Sequence, residues 1–306
     1  MLPHEPLLFA GFIIFVLLML AVDLGVFNRE PHKITIRESL IWSGVWIGLS
    51  LLFAVGLWYF EGTEPALKYL SGYLIEKSLS MDNLFVFLVI FQFFKVDKKY
   101  RHEVLFWGII GALIFRAAFI FAGVAILNKF QWLIYLLGAF LIYTGIKLAR
   151  ETNREIEPEQ NPVLKLIRRL FPVTENYRGS HFFVRETGKL FATPLFIVLV
   201  AIETTDIMFA VDSIPAILAI SRDPFIVFSS NVFAILGLRA LFFALSGIMQ
   251  LFEYLHYGLA AILIFVGIKM LISDFVHMPV WIALSVIAVI LTVTIITSVR
   301  HSKKNS

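Results

Sequence analysis

Two carboxylates six residues apart occur twice in this chain, each time within an apolar run. They are Glu76 and Asp82 in Glu76-Lys-Ser-Leu-Ser-Met-Asp-Asn83, and Asp206 and Asp212 in Asp206-Ile-Met-Phe-Ala-Val-Asp-Ser213. Glu203 lies one helical turn before Asp206, and each second Asp is followed by another side-chain oxygen, Asn83 or Ser213. Carboxylates, an amide oxygen and a hydroxyl are hard ligands of the kind that suit Mg²⁺, Ca²⁺ or Mn²⁺. The histidines (His4, His32, His102, His181, His256, His277 and His301) all fall at the ends of apolar runs or between them, which argues against a Zn²⁺, Ni²⁺ or Cu²⁺ centre. Met81 and Met208 stand beside the acids; a thioether ligand would favour Mn²⁺, but Met in an apolar helix is ordinarily packing. Arg116 and Arg239 sit inside the apolar runs that follow the acidic ones, as charge partners that offset the acids or are released when a cation arrives. The acids outnumber them five to two, which favours a cation over an anion.

On a straight helix, residues six apart differ by about 240° and rise about 9 Å. Glu76 therefore shares a face with Asn83, and Asp206 with Ser213, while Asp82 and Asp212 point elsewhere. Either each helix offers acids to two neighbours, or it unwinds between them. Pro215 removes the hydrogen bond to the carbonyl of Val211, which predicts a local break beside Asp212 and a backbone oxygen free to meet a cation. Phe85 stands at the corresponding place in the first motif.

The elements that carry these motifs belong to a membrane. The chain is 59% hydrophobic and 16% charged, against about 45–50% and 25% for soluble domains. That composition predicts an all-α, polytopic transmembrane helical bundle in a single domain, 1–306. Nine apolar runs lie near 7–27, 39–60, 70–94, 104–127, 131–149, 193–220, 226–251, 257–273 and 279–298. With nine spans, every basic cluster falls on one side: Arg29, Lys33 and Arg37; Lys95, Lys98, Lys99 and Arg101; the basic residues of 150–192; and Arg300, Lys303 and Lys304. The positive-inside rule then puts the amino terminus outside and the carboxyl terminus in the cytoplasm, and the basic pI needs no nucleic acid to explain it. Met1-Leu-Pro-His-Glu-Pro6 has no basic n-region, so the first run reads as an uncleaved span. Within the cytoplasmic loop 150–192, Asn161 to Pro172 predicts a short basic amphipathic helix on the inner membrane face. The absence of Cys excludes disulfides, thiolate metal sites and Cys nucleophiles.

The chain also repeats itself. Arg116-Ala-Ala-Phe-Ile-Phe-Ala-Gly123 resembles Arg239-Ala-Leu-Phe-Phe-Ala-Leu-Ser-Gly247, and Ala139-Phe-Leu-Ile-Tyr-Thr-Gly-Ile-Lys-Leu148 resembles Ala261-Ile-Leu-Ile-Phe-Val-Gly-Ile-Lys-Met270. The two acidic motifs precede these pairs in the same order. The unit is three spans, 3–5 (about 70–149) and 6–8 (about 193–273), so the second copy enters from the opposite side. That is the inverted-repeat plan of secondary transporters, with the site near the bilayer midplane between the halves. Spans 7–27, 39–60 and 279–298 are peripheral.

Tyr73-Leu-Ile-Glu-Lys-Ser-Leu-Ser-Met-Asp-Asn83, Phe209-Ala-Val-Asp-Ser-Ile-Pro-Ala216 and Asp223-Pro-Phe-Ile-Val-Phe-Ser-Ser-Asn-Val-Phe-Ala-Ile-Leu-Gly-Leu-Arg-Ala240 resemble the TerC family of integral membrane proteins, in its Alx-like branch. The resemblance runs from about residue 8 to 298. It implies seven to nine spans, kinship with LysE-type exporters, a bacterial plasma (inner) membrane location and efflux of manganese; the family also carries a tellurium-resistance label. The family's acidic positions fall on Glu76, Asp82, Asp206 and Asp212. Together these readings predict a proton-coupled Mn²⁺ exporter with Glu76, Asp82, Asn83, Asp206, Asp212 and Ser213 as the metal site. Arg116, Arg239 and Glu203 are its charge partners. Protons and the lipid bilayer are further partners, with a homo-oligomer or another membrane protein beside them, and no cofactor is bound permanently. The rival expectations are delivery of metal to exported enzymes and tellurite or oxyanion handling through the arginines. An enzyme is disfavoured, because no nucleophile–base pair, nucleotide motif or cofactor motif is visible.

Overall fold

In lipid every backbone N–H and C=O must be satisfied within its own segment, so apolar runs of this length fold as helices. The computed structural model describes residues 5–27, 36–150, 162–186, 188–245, 255–276 and 278–305. Helices α1 (Glu5–Phe27) and α2 (Ile36–Glu61) precede α3 (Thr63–Phe93), α4 (Lys98–Lys129) and α5 (Leu133–Arg150). A short helix, α6 (Pro162–Leu170), and two strands, β1 (Phe183–Glu186) and β2 (Lys189–Ala192), lead into α7 (Pro194–Leu218). Then come α8 (Pro224–Leu236), α9 (Leu238–Leu245), α10 (Leu255–Leu271) and α11 (Val280–Asn305). Among the described residues, six helical stretches are long and apolar enough to cross a membrane, and two more are apolar but shorter. Helix α3 has 31 residues and carries the charges Glu64, Lys68, Glu76, Lys77 and Asp82. Each expected span thus coincides with helix, α8 and α9 together forming the seventh, and the protein is an all-α polytopic membrane protein. The connections 28–35 and 151–161 and the end of the seventh span lie outside the described residues.

Local chemistry sets several boundaries. Gly62 closes α2 with φ 97°, a left-handed conformation that glycine adopts without Cβ strain, and its N–H donates to the carbonyls of Leu57 and Trp58. Asp223 caps α8, its Oδ1 accepting from the N–H groups of Phe225 (2.8 Å) and Ile226 (3.2 Å).

The loop between the repeats holds an element that helical periodicity does not predict. Strands β1 and β2 pair antiparallel, Phe183 opposite Ala192, around a turn that includes Gly188 at φ 80°. Tyr177 then ties this segment to the α3–α4 connection by donating its phenol to the Phe94 carbonyl (2.6 Å) and stacking on Tyr100. Burial pushes the Tyr177 phenol up to about 12, so it stays a donor at neutral pH. In α6, Leu164 is buried, while Leu166 and Leu170 stay exposed beside Lys165 and Arg169, a surface suited to a lipid interface.

The two halves pack reciprocally. Helix α3 lies on α8 as α7 lies on α4, and α5 touches α7 as α10 touches α3. The most extensive pairing in the bundle is α5 with α10, the third helices of the two repeats. Gly145 of α5 faces Ala260 and Ile264, and Gly267 of α10 faces Gly138 and Ile142. Each glycine meets the residues three and seven before its counterpart, so the helices run antiparallel, as inverted copies must. Small residues let them approach: a Cβ on Gly145 would come 2.8 Å from the Ala260 carbonyl oxygen, and one on Gly267 2.6 Å from that of Gly138. Gly145→Ala should therefore lower the melting temperature in detergent, overpacking costing about 1–3 kcal/mol. Gly44→Ala meets nothing within 4 Å and should be neutral or stabilising. Equal melting of the two variants would contradict the close approach.

Candidate functional site

The acidic helices of the two repeats, α3 and α7, cross antiparallel. Gly72 packs against Ile217, and one turn further along α3 Glu76 shares a guanidinium nitrogen with Ser213. The same register brings Asn83 to the level of Asp206. Helix α4 runs alongside α7, Gly108 against Ile202, Gly111 against Glu203 and Gly123 against Leu218. This glycine face lets α4 come close enough for its arginine to reach both acids.

Arg116 is 1% exposed and stands between the halves. Its Nε and Nη2 donate to the two carboxylate oxygens of Asp206 at 3.1 and 3.0 Å, a bidentate fork. Its Nη1 donates to Glu76 Oε1 and, at 3.3 Å, to Ser213 Oγ. Glu76 and Asp206 are buried as well. With both carboxylates ionised, one guanidinium would leave this centre a formal negative charge in excess, in surroundings where an unpaired charge costs several kcal/mol. Glu76 Oε2, and Asn83 Oδ1 two turns further along α3, have no hydrogen-bond partner among the described residues.

Of the predicted site residues, Glu76, Asp206 and Ser213 thus meet on Arg116, while Asn83 is buried two turns beyond Glu76 on α3. The side chain of Asp82 lies outside the described residues. Asp212 is half-buried on another side of α7, beside the exposed Val211. Among the described residues no three of His, Asp and Glu gather where one metal ion could be held, and a guanidinium joins the acids of the two repeats. Met208 is 66% exposed and faces away from the centre, and Met81 packs on an apolar cluster, so neither thioether reads as a ligand. Thr204 and Thr205 donate their hydroxyls to the carbonyls of Val200 and Ala201, within their own helix.

One expectation, the break at Pro215, needs correction. Helix α7 runs unbroken through Pro215 to Leu218. The proline falls in the last turn, where the helix has little left to lose. The interruption lies instead in the seventh span, at Gly237 between α8 and α9. Arg239, two residues beyond, bonds to Nε2 of His102 (3.1 Å), whereas the bonds to Glu76 and Asp206 come from Arg116. His102, placed among span-end bystanders from the sequence, is thus an arginine partner.

Sequence reasoning also passed over Lys77. Its ammonium donates to the Ala234 carbonyl (3.4 Å) and lies 2.8 Å from where a Cβ on Gly237 would be, at the helix interruption. A lysine inside an acidic membrane motif was the available signal. Glu203 lies over the glycines of α4, and its Oε2 has no partner among the described residues.

Fold and site define an integral membrane protein whose two inverted three-helix halves are joined by a buried guanidinium–dicarboxylate centre. The chain belongs to the TerC family of integral membrane proteins, whose sequence model matches residues 61–306. It is 54% identical to an uncharacterized membrane protein, STKORF319, of Myxococcus xanthus, over 98% of this chain and 94% of that one. It is 46% identical to a Salmonella typhi protein provisionally named membrane-bound redox modulator Alx, over 97% of this chain and 96% of the relative. The Escherichia coli K12 protein of the same name is 45% identical, over 98% and 97%. No solved structure matches the chain.

Removing the guanidinium leaves two buried carboxylates facing each other. Arg116→Gln should destabilise the metal-free protein by about 3–5 kcal/mol, read as a lower melting temperature in detergent. Adding Glu76→Gln to it should recover part of the loss. No loss in the single variant would show that the centre holds nothing together.

Proposed function

We propose that this protein is a secondary transporter that exports a divalent cation, Mn²⁺ foremost, in exchange for protons. It would sit in the bacterial plasma membrane with its amino terminus outside. The observation that carries the reading is the position of Arg116, a removable cation between Glu76 of one repeat and Asp206 of the other. A divalent ion at that place would balance both carboxylates in full, where one guanidinium balances half of their charge. Arg116 then holds the empty site together and gives way when the ion enters. Ser213 supplies a neutral oxygen there and Asn83 a second one further along α3, and Asp82 and Asp212 are the further acids of the two motifs. Protonation of the acids from the outer side would release the ion.

Other readings are less well supported. An oxyanion carrier would need its arginines for the anion, and Arg116 is committed to two carboxylates. A redox role, which the name of the Alx relatives invokes, would find no thiol here, since the chain has no Cys. Delivery of metal to exported enzymes shares the metal site and differs in needing no flux.

The test is uptake by the purified protein in sealed vesicles, scanning Mn²⁺, Mg²⁺, Ca²⁺, Fe²⁺ and Zn²⁺ with and without a pH gradient. Gradient-driven flux selective for Mn²⁺ is expected, reduced about 10–100-fold by Glu76→Gln or Asp206→Asn. Binding without flux would favour metal delivery and contradict export. No response to any metal would overturn both.

A further inference from the structure

We propose that the acid pair has two alternative guanidinium partners, and that Arg239 replaces Arg116 on it when the transporter faces the opposite side of the membrane. This inference rests on the transport reading above and assigns the conformational exchange behind it.

The repeats pair Arg116 with Arg239, Glu76 with Asp206, and Asn83 with Ser213. Helix packing follows the same correspondence, since α3 lies on α8 as α7 lies on α4. Applying it to the observed hydrogen bonds makes a definite statement. Arg116 Nη1 joins Glu76 and Ser213, so the counterpart is Arg239 joined to Asp206 and Asn83. Two of the acceptors that such an arrangement calls on are ones Arg116 leaves unused. Asn83 Oδ1 and Glu76 Oε2 have no partner among the described residues, and both side chains are at most 1% exposed.

The halves differ where an exchange requires it. Helix α4 is continuous up to and beyond Arg116, whereas its counterpart is interrupted at Gly237, two residues before Arg239. Beyond that break, Arg239 is held by His102 of α4, while Lys77 donates to the Ala234 carbonyl beside it. One repeat therefore shows an arginine helix seated on the acids, and the other a helix interrupted at Gly237 with its arginine bonded to His102. In an inverted repeat, letting the two halves trade conformations turns a site that opens to one side into one that opens to the other. Arg239 would then be seated, and α4 would break near Ile114, the counterpart of Gly237. One guanidinium would stay on the acids in either state, which keeps the pair from standing bare in the membrane.

Because the chain has no Cys, a disulfide can report which arginine is seated. Gly123 and Leu218 lie in contact across α4 and α7, a Cβ on Gly123 being 2.9 Å from Leu218 Cδ1, and Gly123 is beyond the expected break. The full-length chain with Gly123→Cys and Leu218→Cys would be oxidised in vesicles, and disulfide yield and Mn²⁺ flux measured on the same preparation. Arg239→Gln should raise the yield and abolish flux, and Asn83→Ala should shift the yield the same way without removing a charge. Arg116→Gln should lower the yield severalfold. Equal yields in all of these backgrounds, with flux intact in the parent, would overturn the exchange and leave the transporter standing. Yields that respond as stated in a parent without cation flux would support the exchange and overturn the transport reading.

Discussion

A buried guanidinium held between carboxylates of opposite repeats is the interaction on which the rest of this structure depends. Charges in a bilayer are costly unless paired, so Arg116 must find Glu76 and Asp206, and those acids must find a cation. The requirement draws α3, α4 and α7 to a common point. Helix α4 meets it with glycine at residues 108, 111 and 123, which brings α7 close, and α5 and α10 meet it through their glycine contact on the other side. The seam between the halves is therefore tight at its flank and charged at its centre. A charged centre can be rearranged by a competing cation; a tight apolar flank cannot.

That division separates scaffold from moving part. The α5–α10 pair has backbone against backbone, with no slack for sliding. The arginine helices have alternatives: one is straight and seated, the other broken at Gly237 with its arginine on a histidine. Lys77 contributes by donating to a carbonyl beside the break, where a residue of lower polarity would leave that oxygen without its partner.

Much of this was legible before any coordinates. The span positions follow from hydropathy, because lipid leaves the backbone no choice but helix. The repeat is legible from Gly-Ile-Lys in both third helices, since those glycines are where the halves touch. The i, i+7 spacing placed Glu76 on a face with Asn83 and Asp206 on a face with Ser213, and in the structure Glu76, Asp206 and Ser213 meet on Arg116. The occupant of the centre was not legible, for spacing within α3 and α7 says nothing of what α4 inserts between them. Pro215 misled because its effect depends on distance from the helix end, and it lies within the last turn of α7. Gly237 was passed over because a lone glycine in an apolar helix is usually tolerated, and here its break shows through tertiary partners, Lys77 and Trp46. The β1–β2 hairpin is short and tied down by Tyr177, which periodicity cannot see.

The central claim is that a divalent cation and Arg116 compete for the same two carboxylates. It is tested most directly by titrating Mn²⁺ into the purified protein and into Arg116→Gln while following the loss of the free-ion electron paramagnetic resonance signal. Competition predicts tighter binding by Arg116→Gln than by the unsubstituted chain, and a gain in thermal stability on adding Mn²⁺ that is larger for the variant. Weaker binding by Arg116→Gln, or binding unaffected by it, would mean that the arginine and the cation do not share a site, and would contradict the account.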